Sequence, residues 1–236
     1  MSENLKKFLP FLLLIILILV VYLTNLHQIF TIKWLQAEEQ RLASFASKHV
    51  VLAALVYVGI YILSVCLVLP DSTILTLLGA MIFPWHVGLI LAVFSETMGA
   101  TGFFAIFHGF FGTSFMKRER PFLSKLRRGF KKHSVSYLLF LRISHVVPFW
   151  LTNAAAAYFK VPFWTFIWTT FIGVIPITFI IANAGHSLGK AFAQNQVITL
   201  SDIFTTQVNI ALFVIGILTL SPIIYKKWIA KKKWKI

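Results

Sequence analysis

Leu69-Pro70-Asp71-Ser72-Thr73-Ile74-Leu75-Thr76-Leu77-Leu78-Gly79-Ala80-Met81-Ile82-Phe83-Pro84 is the stretch on which the fold turns. Between the polar break at Pro70-Asp71-Ser72 and the second proline, Ile74 to Phe83 gives only ten residues of apolar chain. As a helix that is about 15 Å, half of a hydrocarbon core roughly 30 Å thick. Yet the stretch sits inside an apolar run from His49 to Gly112, which is far longer than one span requires. The piece is too short to cross a bilayer and too apolar to leave it.

The rest of the chain fixes that setting. Of 236 residues, 58% are hydrophobic and 12% are charged, against about a quarter charged in soluble domains; mean hydropathy is +0.84. The net charge of +15 is local. Lys117, Arg118, Arg120, Lys125, Arg127, Arg128, Lys131 and Lys132 crowd one polar interruption, and Lys226, Lys227, Lys231, Lys232, Lys233 and Lys235 crowd the C-terminus. Basic clusters between apolar segments mark cytoplasmic loops, so both belong inside, against anionic lipid head groups. Neither carries a nucleic-acid-binding module, and no nucleic-acid partner is expected.

Crossing parity then dictates the architecture. Lys6 and Lys7 precede an apolar run from Phe8 towards Phe30, too long for a signal-peptide core and without a cleavage motif. It reads as a first span with its N-terminus inside. Ile32, Leu35, Leu42 and Phe45 between Thr31 and Lys48 form one helical stripe, which suits an interfacial amphipathic helix with Trp34 at head-group depth, or else a solvated loop. From there outside to the basic loop inside, the crossings must be odd in number. Val87–Gly112 supplies one. His49–Leu69 and Ile74–Phe83 must therefore enter and leave on one side, as a re-entrant hairpin with Pro70-Asp71-Ser72 at its tip.

The second half repeats the plan. Ser134–Val147, Pro148, Trp150–Phe159, Pro162 and the full span Phe163–Ala184 follow in order, and Pro148 to Pro162 is the same 14 positions as Pro70 to Pro84. Entered from the cytoplasmic loop, this hairpin is inverted relative to the first. Paired short, Pro-interrupted segments point to an inverted repeat with its site at the midplane. The expected fold is an all-α, polytopic membrane protein with two inverted-topology re-entrant hairpins. Its parts are an N-terminal span and interfacial helix (1–48) and a core (49–190) whose repeats (49–112 and 134–186) flank the basic loop (113–133). An external loop, last span and basic tail (191–236) complete it.

Three ionisable residues fall inside apolar segments: Asp71, Glu96 and Arg142. Such a group costs about 2.5–3.5 kcal/mol at the bilayer centre on insertion scales, so each needs a reason. Asp71 is either a proton carrier or a helix N-cap ahead of Ser72 and Thr73. Glu96 is either a proton site or Arg partner, or a neutral structural carboxyl. Arg142 stays charged; it clamps a lipid phosphate or forms a permanent ion pair with Asp71 or Glu96. Asn153 is expected to satisfy backbone broken at the second hairpin. Cys66 is the only cysteine, which excludes an internal disulfide and a cysteine metal site. No H-E-x-x-H or G-x-S-x-G occurs, so neither metal, cofactor nor enzymatic activity is expected.

Leu141-Arg142-Ile143-Ser144, Pro148-Phe149, Asn153, Val161-Pro162-Phe163, Gly173 and Pro176-Ile177-Thr178-Phe179 form one long pattern. With Leu75-Thr76-Leu77-Leu78-Gly79-Ala80 and Gly99-Ala100-Thr101, it resembles the VTT-domain, or SNARE-associated Golgi protein, branch of the DedA superfamily over about residues 50 to 190. The resemblance implies two facing re-entrant hairpins. It also implies lipid movement across bilayers: phospholipid scrambling in eukaryotic members, and proton-coupled recycling of polyprenyl phosphate in bacterial ones. An acidic residue after a hairpin proline and an arginine in the second hairpin go with activity there, and Asp71 and Arg142 match them. Asp71 follows Pro70 without the glycine many members have, and Pro148 stands at a second arginine position. The expected function is a flippase or scramblase for a phosphate-bearing lipid. The alternative is a non-transporting protein that aids envelope or membrane-protein assembly. The compact form and heavy lysine use fit a bacterial plasma membrane.

Overall fold

A computed structural model describes residues 32–69, 72–111, 134–144 and 146–193, with the isolated positions Ile16, Leu23 and Ile210. The N-terminal span, Pro70 and Asp71, the basic loop, His145, and the last span with its tail lie outside the described residues. Among the described residues there are seven helices and no strand: α1 Ile32–Lys48, α2 Val50–Cys66, α3 Ser72–Ile82, α4 Trp85–Phe111, α5 Ser134–Ser144, α6 Phe149–Tyr158 and α7 Phe163–Ala193.

Prolines set the helix starts. Pro84, Pro148 and Pro162 stand immediately before or within two residues of α4, α6 and α7, and their carbonyls accept the first helical N–H groups (Val87 at 2.8 Å, Leu151 at 3.0 Å, Phe166 at 3.0 Å). A proline there loses no hydrogen bond, because the first N–H groups of a helix have no intrahelical acceptor. Two helices end alike. Val68 (φ 59) and Lys160 (φ 55) adopt the left-handed conformation. Leu69 N–H then donates to Ser64 O at 3.0 Å, and Val161 N–H to Ala156 O at 3.0 Å. Each is a Schellman closure without the usual glycine.

Helix α4 is the hub, packing on α2, α3, α6 and α7. Helix α7 also packs along α3. Gly185 permits that approach: a Cβ there would meet the Leu77 carbonyl oxygen at 2.5 Å. Among the described residues, α4 and α7 are the helices long and apolar enough to cross a membrane. The ten residues of α6 and eleven of α3 are single limbs of about 15 Å. Residues 32–48 are helical rather than a loop: α1 lies on α2, α3 and α7, with Ala46 2% exposed.

One boundary differs from expectation. The second long span was expected to end at Ala184, with polar chain following; α7 instead continues unbroken to Ala193, through Pro176. His186, Ser187 and Lys190 look like loop composition, but Gly185 and Gly189 lie against Leu77 and Met81 of α3. That packing holds the extra turns.

Candidate functional site

Arg142 lies two residues before the end of α5, 2% exposed, and is among the largest fully buried side chains of the described residues. Four neighbours from two other helices fix it. Its Nη2 donates to Asn153 Oδ1 of α6 at 3.0 Å. Phe149 of α6 and Phe166 of α7 place their rings 4.9 and 5.0 Å from the guanidinium carbon. Its stem lies on Gly173 of α7, where an added Cβ would come 2.9 Å from Arg142 Cβ. Phe166 in turn stacks on Phe104 of α4, with centroids 4.2 Å apart at 17°. A ladder of rings thus runs from α4 through α7 to the guanidinium and on to α6.

The ladder does not satisfy the cation. Among the described residues, Nε and Nη1 are buried without a hydrogen-bond partner. Leaving a buried polar group unsatisfied costs about 1–3 kcal/mol, more when it is charged. The Nε and Nη1 protons lie on different edges of the guanidinium, and each seeks an acceptor in a place water reaches poorly.

Glu96 is 8% exposed at mid-α4. Its Oε2 accepts from Thr178 Oγ1 of α7 at 3.1 Å. Thr178 also points its hydroxyl at Val174 O, at 2.9 Å, and a hydroxyl has one proton for those two acceptors. Glu96 and Arg142 are the charged residues buried among the described ones. They lie within electrostatic reach yet form no ion pair. Arg41–Glu38, at 3.6 Å on α1, is the ion pair found among the described residues. Tyr57 and Tyr61 of α2 are also within reach of Glu96. Their hydroxyls hold α3: Tyr57 donates to Leu75 O at 3.0 Å, and Tyr61 pairs with Thr76 Oγ1 at 2.8 Å.

The other sequence-predicted residues distribute as follows. Pro70 and Asp71 lie outside the described residues, so Asp71 is not placed relative to Arg142. Ser72 opens α3 and its carbonyl accepts the Thr76 hydroxyl at 2.9 Å. Pro148 caps α6, with φ −51 and ψ 139. Pro162 starts α7. Asn153, expected to satisfy broken backbone, accepts a hydrogen bond from Arg142 Nη2 through its Oδ1. Sequence reasoning missed the two ring faces and the Thr178 hydroxyl. Phe149 and Thr178 stood in the motif, but spacing says nothing of which way a ring faces, and Phe166 had no signal.

The VTT domain family model matches residues 69–187, a stretch that includes Glu96, Arg142, Asn153 and Thr178. A Caenorhabditis elegans protein described as a Transmembrane protein 41 homolog is 32% identical over 182 residues, covering 75% of this chain and 70% of that one. Mouse Transmembrane protein 41B is 24% identical over 195 residues, 81% of this chain and 65% of its own. The Dictyostelium discoideum Transmembrane protein 41 homolog is 30% identical over 163 residues, covering 67% and 47%. The chain thus spans less than two thirds of the mouse and Dictyostelium proteins. No solved structure matches it. A helical bundle with two bilayer-length helices, the VTT model across half the chain, and transmembrane relatives converge: this is a membrane protein, and it belongs to the VTT-domain family of the DedA superfamily.

Proposed function

We propose that the protein moves a phosphate-bearing lipid across the bilayer as a flippase or scramblase, with Arg142 as the phosphate clamp. One observation carries this reading. Arg142 is hydrogen-bonded to Asn153, yet among the described residues Nε and Nη1 are left for an acceptor. Guanidinium matches phosphate oxygens with two parallel N–H donors, here Nε or Nη1 together with an Nη2 proton, and a preformed, desolvated donor binds an anion more strongly than one in water. The work is transport, not catalysis, and the partners are membrane phospholipids or polyprenyl phosphate. Glu96, hydrogen-bonded to Thr178, is the proposed proton-exchanging group beside the clamp.

The proposed architecture is the pair of opposed re-entrant hairpins, α2–α3 and α5–α6. The short limbs support it, and so does a cluster in which Leu67 and Leu69 beside the first tip pack with Phe103 of α4 and Ala154 of α6. We place the protein in a plasma membrane with both termini and the basic loop cytoplasmic. The relatives named above are eukaryotic, so the housing membrane is part of the proposal.

A second reading has its own support. Arg142 ties α5 to α6 and α7, which suits a structural post in a non-transporting assembly protein. Reconstitution into vesicles with fluorescent phospholipid, read by external dithionite quenching, separates them. Arg142→Lys keeps the charge without the planar fork, so the clamp predicts normal folding and a large loss of flip rate. Unchanged flipping in Arg142→Ala ends the clamp. Wild-type protein that moves neither phospholipid nor polyprenyl phosphate leaves the assembly reading.

A further inference from the structure

A second feature lies away from the charged site, where α1 crosses α2 and α3. Leu42 and Phe45 from α1, Ala53 and Tyr57 from α2, and Leu75 and Leu78 from α3 enclose a cavity of about 140 Å³. The surfaces lining it are apolar throughout. The Tyr57 hydroxyl is spent on Leu75 O, so the cavity sees only its ring. The mouth opens past Phe45, Val56 and Ile60, which are 43%, 49% and 42% exposed. Those last two belong to the outer surface of α2, which continues through Val51, Leu52, Leu55 and Leu63 without a polar break. In a membrane protein such a surface faces hydrocarbon. The cavity opens on that apolar surface.

We infer that this pocket holds the end of a lipid acyl chain. A dry apolar cavity of roughly 150 Å³ accepts a guest of about benzene's size, so a stretch of about six chain carbons fits. Transfer from bilayer to pocket is hydrocarbon to hydrocarbon, and no hydrophobic driving force distinguishes them. Selection comes from shape. Side chains around an unfilled void lose dispersion contacts on one side, and a flexible tail restores them. Helix α1, whose Leu42 and Phe45 line the pocket while charges such as Glu38 and Arg41 stand at other positions, is its roof. A lipid so held has its tail against α3 and Tyr57. The inference rests on the membrane setting alone and is independent of the Arg142 clamp.

The test uses the full chain in phosphatidylethanolamine–phosphatidylglycerol vesicles doped with a phosphatidylcholine carrying a diazirine near the acyl terminus. After illumination, adducts are mapped by mass spectrometry. Adducts on Tyr57, Leu75 and Leu78 are expected to exceed those on Val51 and Leu55, which report ordinary boundary lipid, by several-fold. Ala53→Leu, which fills the cavity, should bring the pocket adducts down to the boundary level, and Leu78→Ala, which enlarges it, should raise them on Tyr57 and Leu75. Equal labelling of pocket and boundary positions overturns the inference. So does pocket labelling that neither variant changes, or cross-links from residues 8–30 to the pocket in place of lipid adducts.

Discussion

Arg142 has a worse bargain with its surroundings than any other described residue: full burial, one protein acceptor and two nitrogens without any. Buried charge is weak evidence for stability, and apolar replacement of similar volume is often neutral or stabilising by about 1–4 kcal/mol. We therefore expect Arg142→Met to melt in detergent at or above the wild-type temperature while lipid movement is lost. A clear drop in melting temperature would instead mark Arg142 as a structural post. Gly173→Ala should lower stability by about 1–3 kcal/mol, because its Cβ would come 2.9 Å from Arg142 Cβ and 3.0 Å from Cδ; thermal unfolding reads it directly. Glu96→Gln keeps an oxygen for the Thr178 hydroxyl while removing the charge, so stability should change by less than about 0.5 kcal/mol. If Glu96 exchanges protons, the same variant should make the flip rate independent of an imposed pH gradient, with wild type as the responding control.

Among the helices, the boundaries set by proline were legible and those set by tertiary contact were not. Pro84, Pro148 and Pro162 announce helix starts because a missing N–H costs nothing there. The end of α7 was misjudged by nine residues, from Ala184 to Ala193, since its last turns are held by the fit of Gly185 and Gly189 onto α3. Composition carries no trace of that fit. Gly185→Ala should therefore cost about 1–3 kcal/mol and expose the α3–α7 seam to faster hydrogen exchange. The Schellman turns give an opposite prediction. Lys160 is exposed and left-handed, and a side chain in that conformation costs roughly 1–2 kcal/mol that glycine avoids. Lys160→Gly should raise thermal stability in detergent, whereas a fall would show that its side-chain contacts outweigh the backbone term. For the site, the ionisable residues could be picked out because charge inside an apolar run is conspicuous. Their partners could not, since Asn153, Phe149 and Phe166 reach Arg142 from two other helices.

For the molecule as a whole, the proposed topology makes a labelling prediction. On a Cys66→Ser background, Ser124→Cys in the basic loop should be blocked only by reagents that enter the cell, and Ser201→Cys should react with impermeant ones. Outside labelling at Ser124→Cys refutes the orientation. The ring ladder of Phe104, Phe166, Arg142 and Phe149 spans four helices. The two rings stand 4.9 and 5.0 Å from the guanidinium carbon, so a head group bound there would have to pass them. Selectivity would then be a matter of admission as much as affinity: slim groups slide past, while bulky ones wait for Phe149 or Phe166 to swing aside. Such a turnstile has a rotamer flip for its barrier, and trimming Phe149 to Leu should widen the range of head groups admitted even as each is held more loosely.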